Sequence, residues 1–519
     1  MNNKNEVFLK ICGWCGFSLL LVGALARLYL YMNYRDLWLD EAMLAKSFWA
    51  GDMNTILSGK LLNNQMAPVG FLVVTKLVSY FFGTSELVLR FFPLVSGVAA
   101  GFLLWMFAKR EFDEAYAFIC IICFITCRPF MYYATEFKQY ATEYLVTIVY
   151  ICVYCASLGS FSRNIIPFST AVISCFCLLF SLPALFVFWG MAASILVMAW
   201  KRGDFICFIK NNLYKILLML IFVGLYSFYL WELYRTHPGM FTYWGKYFFP
   251  LNIGEFPAYF KDPLSSILSL SFNVLGNNYA NSTILACSFF GGLYFLYKKN
   301  FPLFLIIFMT GAFYLSASAM KLYPLGHGGI IGSRLSLFYF SFIFIAVSYF
   351  FYTLCGCIRG RLWNKLKWGV VILLVILTLR SNVRFAIKSE GMWQQTAGLI
   401  KTINAMYNDQ SEIVIYGPTV HAYTYYQHRN KKEFIYSVLD RDKDPAAELN
   451  SVIAAGKERN KHTYYVLFSH VYERYYDSCV EYIKNNYALE QIIEAPGARL
   501  VIFQISLTDD SIQKEADNA

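Results

Sequence analysis

Two adjacent carboxylates, Asp40 and Glu41, stand in the segment Leu37-Trp38-Leu39-Asp40-Glu41-Ala42, just after a long apolar run. A hydroxyl is a poor nucleophile, so its attack on an activated anomeric carbon benefits from a carboxylate that takes its proton. Partial desolvation beside lipid raises a carboxylate's basicity and suits it to that task. The plainer reading of the pair is a solvated loop or a helix N-terminal charge. A third acid, Glu136, lies in Tyr132-Tyr133-Ala134-Thr135-Glu136-Phe137-Lys138-Gln139-Tyr140, again beside an apolar run. Tyrosines and a snorkelling lysine serve there as interface anchors. An acid between two apolar helices gains nothing by snorkelling, and ionisable groups so placed mark sites. Arg90, Lys321 and Arg334 fall at helix ends, and Gly326-His327-Gly328-Gly329 precedes Arg334. Arg and Lys stabilise the charge that develops on a phosphate leaving group. Headgroup anchoring is their plainer role, as a surface histidine is for His327.

The elements that must position these groups are set by lipid. Of 519 residues, 58% are hydrophobic and only 15% are charged, against about 25% charged in an average soluble chain. A spanning helix needs about 20 apolar residues. Such runs occur near 11–31, 87–108, 115–132, 140–158, 165–181, 183–200, 213–231, 282–297, 302–319, 334–355 and 367–382, which makes eleven. The first lacks a small-residue cleavage site and reads as a retained anchor. Most of the fourteen cysteines lie within these runs, with neither a disulfide framework nor zinc-site spacing.

With the N-terminus cytoplasmic, every second loop is basic: Lys109 and Arg110; Arg163; Lys201, Arg202, Lys210 and Lys215; Lys298 and Lys299; Arg359, Arg361, Lys365 and Lys367. This positive-inside pattern accounts for the net charge of +11 without nucleic acid as a partner. It also puts Asp40 and Glu136 on one outer face. Residues 69–82 are apolar but only 14 long and hold Lys76. Were they a span, the basic loops would face outward, so they read as an interfacial helix. The expected domains are a membrane part, 1–382, and an extracytoplasmic part, 383–519. The membrane part carries outer loops at 32–86 and 232–281, the latter with His237, Trp244 and Lys246. In the tail, β-like runs at 413–416, 463–468 and 499–505 alternate with helical stretches at 392–407 and 472–486, which suggests a small α/β domain.

Three segments in order carry a family likeness: Leu37 to Ala42, then Gln65-Met66-Ala67-Pro68-Val69-Gly70-Phe71-Leu72, then Ser85-Glu86-Leu87-Val88-Leu89-Arg90-Phe91-Phe92-Pro93. They resemble the start of glycosyltransferase family 39-like proteins, which stand with the protein O-mannosyltransferases and lipid A aminoarabinose transferases of the GT-C fold. Tyr133 to Tyr140 is similar to that family's Tyr-Ser-Gln-Glu-Ala-Arg-Met-Tyr segment. The likeness covers about the first 150 residues and thins afterwards to Gly332-Ser333-Arg334-Leu335 and an external α/β tail. It implies a GT-C membrane protein of the cell inner membrane, with about eleven transmembrane helices and outer juxtamembrane helices.

The resemblance further implies an inverting transferase that takes a sugar from a polyprenyl-phosphate donor to a glycan, glycolipid or protein acceptor. Asp40 matches the first-loop aspartate used as general base or acceptor-orienting group. Glu41 is its neighbour, and Glu136 matches the second acidic site. Arg90 matches the arginine before the proline of the second span, and Arg334 an arginine near the lipid phosphate. Gln65, Tyr133, Lys138, Lys321 and His327 complete the candidate substrate-binding set. No metal ligands are assigned, and the family leaves a divalent metal open, since some members use one and others do not. Met66 and Ala67 stand where many members have His and Pro, and Val69 where a second Pro is common. Lys138 replaces an Arg and loses its bidentate geometry. A transporter or flippase of lipid-linked saccharides is the alternative, but that class carries its charges at midmembrane depth in repeated halves. A non-catalytic scaffold acting through the tail is a third reading.

Overall fold

A computed structural model describes residues 3–33, 35–236, 244–255, 278–326, 332–357, 361–388 and 394–505. Apolar runs become helices because each must satisfy its own backbone where no water is present. Among the described residues, eight helices are long and apolar enough to cross a membrane. In chain order the helices up to residue 388 begin with α1 (Asn3–Met32), α2 (Leu39–Trp49), α3 (Met53–Ser58), α4 (Val69–Phe82) and α5 (Glu86–Glu111). They continue with α6 (Glu114–Thr126), α7 (Arg128–Tyr133), α8 (Tyr140–Phe161), α9 (Phe168–Leu178), α10 (Ala184–Lys201) and α11 (Phe205–Thr236). After these come α12 (Asn278–Lys299), α13 (Phe301–Ala319), α14 (Leu337–Cys357) and α15 (Arg361–Lys388).

Every expected span has a helix, but two are shorter than expected. The run at 115–132 is broken at Cys127, whose extended backbone ends α6 before Pro129 opens α7. A proline is tolerated in a first turn but not in a helix interior, so the break falls there. The run at 165–181 holds an 11-residue helix, α9, entered after Pro167 and closed before Pro183. Helix α4 has the expected limits, 69–82, and the final turn of α4 exposes Tyr80, Phe81 and Phe82. Asp113 caps α6 by accepting the Tyr116 N–H at 2.9 Å. Asn300 caps α13 in the same way through the Leu303 N–H at 3.2 Å.

Helix α14 is the hub of the first of two compact units, Met1–Asn33, Met53–Gly83 and Leu87–Ala386. Its side chains from Leu337 to Tyr349 are almost all buried, and it packs on α6, α8 and α12. Gly292 of α12 meets the Ala346 carbonyl of α14 so closely that no side chain would fit. Small residues at helix crossings allow this approach, which is what dispersion needs in the absence of a hydrophobic drive.

The second unit takes in Tyr34–Asp52, Thr84–Glu86 and Ile387–Ala519. Its helices are α2 with α16 (Ala397–Met406), α17 (Val420–Arg429), α18 (Pro445–Glu458) and α19 (Glu473–Asn486). The strands are β1 (Ser411–Tyr416), β2 (Tyr436–Leu439), β3 (Thr463–Ser469), β4 (Ala488–Ala495) and β5 (Ala498–Gln504), ordered β2-β1-β3-β5-β4. β1 pairs in parallel with both β2 and β3, and β5 runs antiparallel to β3 and β4. Val414, Val466 and Val501 share one sheet face, against which α18 and α19 bury Leu449, Ile453, Cys479 and Ile483. The expected α/β tail is therefore present, with β2, β4, α17 and α18 added.

Candidate active site

In the second unit, residues 35–49 are held by the tail at five points. The Leu37 N–H donates to the Tyr426 hydroxyl at 3.0 Å, and the Ala397 N–H donates to Asp36 Oδ2 at 2.6 Å. Trp38 meets the His470 ring edge-on at 4.9 Å, Trp49 stacks on His428 at 4.2 Å, and α2 packs on α17. Arg429 pairs with Glu86, and the Tyr425 hydroxyl donates to the Thr84 carbonyl at 2.7 Å. Asp40 is the second residue of α2 and half-buried. Glu41 is fully buried and its Oε2 accepts the Trp38 N–H at 2.9 Å, so it closes the start of α2. A carboxylate in a first turn also complements the helix dipole.

His470 faces Asp40 electrostatically and shares a 2.8 Å hydrogen bond between its Nδ1 and Gln394 Nε2. Its backbone sits at φ 55°, a left-handed conformation uncommon for a residue with a side chain. Strain of this kind clusters at functional positions. Part of the His470 side chain remains open, yet the surrounding protein lowers its pKa, with the Asp40 charge opposing that shift. Burial also lowers His421 on α17, helped by Lys46. Four tail histidines were visible in the sequence, but nothing there tied one of them to Asp40.

The other candidates belong to the first unit. Glu136 is 2% exposed in the turn between α7 and α8. Tyr133, also buried, lies within electrostatic reach of both Glu136 and Arg334. The Tyr133 ring meets Tyr140 edge-on at 4.9 Å. Arg334 sits with its guanidinium 5.8 Å from the Tyr140 ring centre and 5.2 Å from that of Trp244. Cation–π contacts of this length hold a guanidinium in place. Lys138 donates to Gln65 Oε1 at 2.6 Å, and both side chains are buried. Arg90 is buried near the start of α5, within electrostatic reach of Tyr31, whose hydroxyl donates to the Leu87 carbonyl at 2.7 Å.

The structure thus gathers Glu136, Tyr133 and Arg334 into one cluster, and joins Lys138 to Gln65. Lys321 does not join by any contact described: it is exposed in the turn after α13, at φ 59°. His327 lies outside the described residues, as does His237. One buried acid escaped the sequence reading altogether. Glu143, in the first turn of α8, sits inside the apolar run at 140–158, which hides it. Among the described residues, no three His, Cys, Asp or Glu side chains converge as a metal site.

No family model matches the chain, and no curated protein matches it. Among solved structures, ArnT from Cupriavidus metallidurans in the apo state is 12% identical, with a TM-score of 0.51 over 95% of this chain and 98% of that one. The same enzyme bound to undecaprenyl phosphate gives 11% identity and a TM-score of 0.50 over the same shares. The Archaeoglobus fulgidus oligosaccharyltransferase, crystallised with Zn and sulfate, covers 94% of this chain and 74% of that one at 11% identity. Its TM-score is 0.43. At such identities the likeness is one of fold, and end to end this chain has the polytopic GT-C membrane fold.

Proposed function

We propose that this chain is a membrane glycosyltransferase that moves a sugar from a polyprenyl-phosphate carrier to a glycan, glycolipid or protein acceptor. One observation carries the reading. A buried acid and a guanidinium held between aromatic rings share a cluster, in a fold whose neighbour was crystallised with undecaprenyl phosphate. In this reading the acceptor oxygen attacks the anomeric carbon as the bond to the lipid phosphate breaks, and the centre inverts. By the family likeness, Asp40 takes or orients the acceptor proton and Glu136 is the second acid. Arg334, Arg90 and Lys138 face the phosphate, whose charge rises as it leaves. Glu41 acts one step back, by fixing the first turn of α2 that carries Asp40. The loop charges support a site on the outer face with the N-terminus inside.

The test replaces Asp40 by Asn and Glu136 by Gln, in separate variants, and measures transfer from polyprenyl-phosphate donors in reconstituted membranes. General-base loss predicts a fall of about a hundredfold or more for Asp40→Asn. Full activity in both variants would end the assignment.

A further inference from the structure

Glu143 stands seven residues beyond Glu136, on the same helix as Tyr140. It is 1% exposed, and neither oxygen of its carboxyl has a hydrogen-bond partner. Gln139, one turn earlier, is near it but not in hydrogen-bonding geometry, and the Gln139 Oε1 is itself buried without a partner. Leaving a buried carboxyl unsatisfied is costly, and an acid at the end of a spanning helix marks a site more often than a packing accident.

Its neighbours are tyrosines from two other elements. Tyr226 of α11 and Tyr323, in the segment after α13, both lie within electrostatic reach of Glu143. Tyr323 in turn reaches Tyr140 and Arg334. Glu143 is therefore joined through Tyr323 and Tyr140 to the cluster that contains Arg334 and Glu136. Its chemistry there is opposite to that of Arg334. A carboxyl offers a phosphate none of the forked donors of a guanidinium, whereas it accepts hydrogen bonds from hydroxyl or amino groups. Aromatic walls suit the apolar faces of a sugar ring and leave the ring substituents to polar partners.

We propose that Glu143 is a substrate-binding residue of this site, its carboxyl receiving a hydroxyl or amino hydrogen of the transferred sugar while Arg334 takes the carrier phosphate. The inference rests on the transferase reading and adds to it the group that recognises the sugar. It also accounts for both unpartnered oxygens, since a sugar offers donors on adjacent carbons.

The experiment uses the full chain in nanodiscs. Affinities are measured for undecaprenyl phosphate alone and for its conjugates with glucose, mannose and an amino sugar, in wild type, Glu143→Gln and Glu143→Leu. The expected result is that wild type prefers at least one conjugate over the bare lipid. Glu143→Leu should remove that preference, by about two- to tenfold for one hydrogen bond, while leaving the bare lipid's affinity unchanged. Retention by Glu143→Gln of a neutral conjugate supports a hydroxyl donor, and selective loss of the amino conjugate supports an ammonium. An intact preference in Glu143→Leu overturns the inference. So does equal weakening of bare and conjugated lipid, which marks a packing role. A wild type that binds no undecaprenyl phosphate overturns the transferase reading itself, a result distinct from any failure at Glu143.

Discussion

Removing the Tyr426 hydroxyl tests how Asp40 is held. In Tyr426→Phe the ring stays, with its edge contact to Tyr425 at 5.0 Å, and only the acceptor of the Leu37 N–H is lost. Leu37 is fully buried, so its N–H gains no water in exchange. An unsatisfied buried donor costs about 1–3 kcal/mol. That cost falls on the docked state of residues 35–42, because the segment regains water when it opens. Opening of that segment should become about 5- to 150-fold more frequent. Hydrogen exchange read by mass spectrometry on a peptide spanning residues 35–44 measures this directly. Peptides from β1 and β3, whose ladders do not involve Tyr426, serve as the internal control. Unchanged protection at 35–44 would refute the reasoning, as would equal deprotection of the sheet, which would mean that the hydroxyl supports the whole unit.

Two other expectations follow from the same geometry. Lys138→Met and Gln65→Ala each break the 2.6 Å buried hydrogen bond. Thermal unfolding of the two single variants and the double should therefore show a coupling of about 0.5–3 kcal/mol, and simple additivity would count against the pair. For pH, His421 and His470 both have lowered pKa values in the folded second unit. The unfolded chain then binds protons first as pH falls below about 6.5, so stability is present above that value and declines beneath it. Exchange protection of β1 and β3, corrected for intrinsic rates, should drop between pH 7.5 and 5.5 and drop less in His421→Asn and His470→Asn; identical pH curves would refute it.

The spans were legible because a bilayer imposes length and apolarity on consecutive residues, and both can be counted along a chain. The breaks at Cys127 and after Pro167 were written there too, in Pro129 and Pro167, but the apolar count runs straight past them. In the tail, β1, β3 and β5 are buried and β-branched. β4 carries Glu490, Gln491 and Glu494 on a half-exposed edge, so it shows no apolar run. β2 is only four residues long, too short for an alternation to show. Helix α17 is crowded with tyrosines, three of its ten residues, which hides a helical period. For the site, residue type exposed Asp40, Glu136 and Arg334. Partnership did not show: Glu41 bonded to Trp38, Lys138 to Gln65, and His470 beside Asp40 are tertiary facts. Glu143 was hidden by the apolar residues around it.

The span of chain between Leu37 and the residue that holds it has a bearing on how the protein is made. Tyr426 lies 389 residues further on. At about 5–20 residues per second, synthesis reaches it about 20–80 s after Leu37 has emerged. For that interval the Asp40 segment lacks its scaffold, and the apolar helices between can be inserted before it is held. A chain that stops short of α17 would lack the hydroxyl that holds Leu37, so completion of the last domain is the step at which the segment carrying Asp40 is fixed.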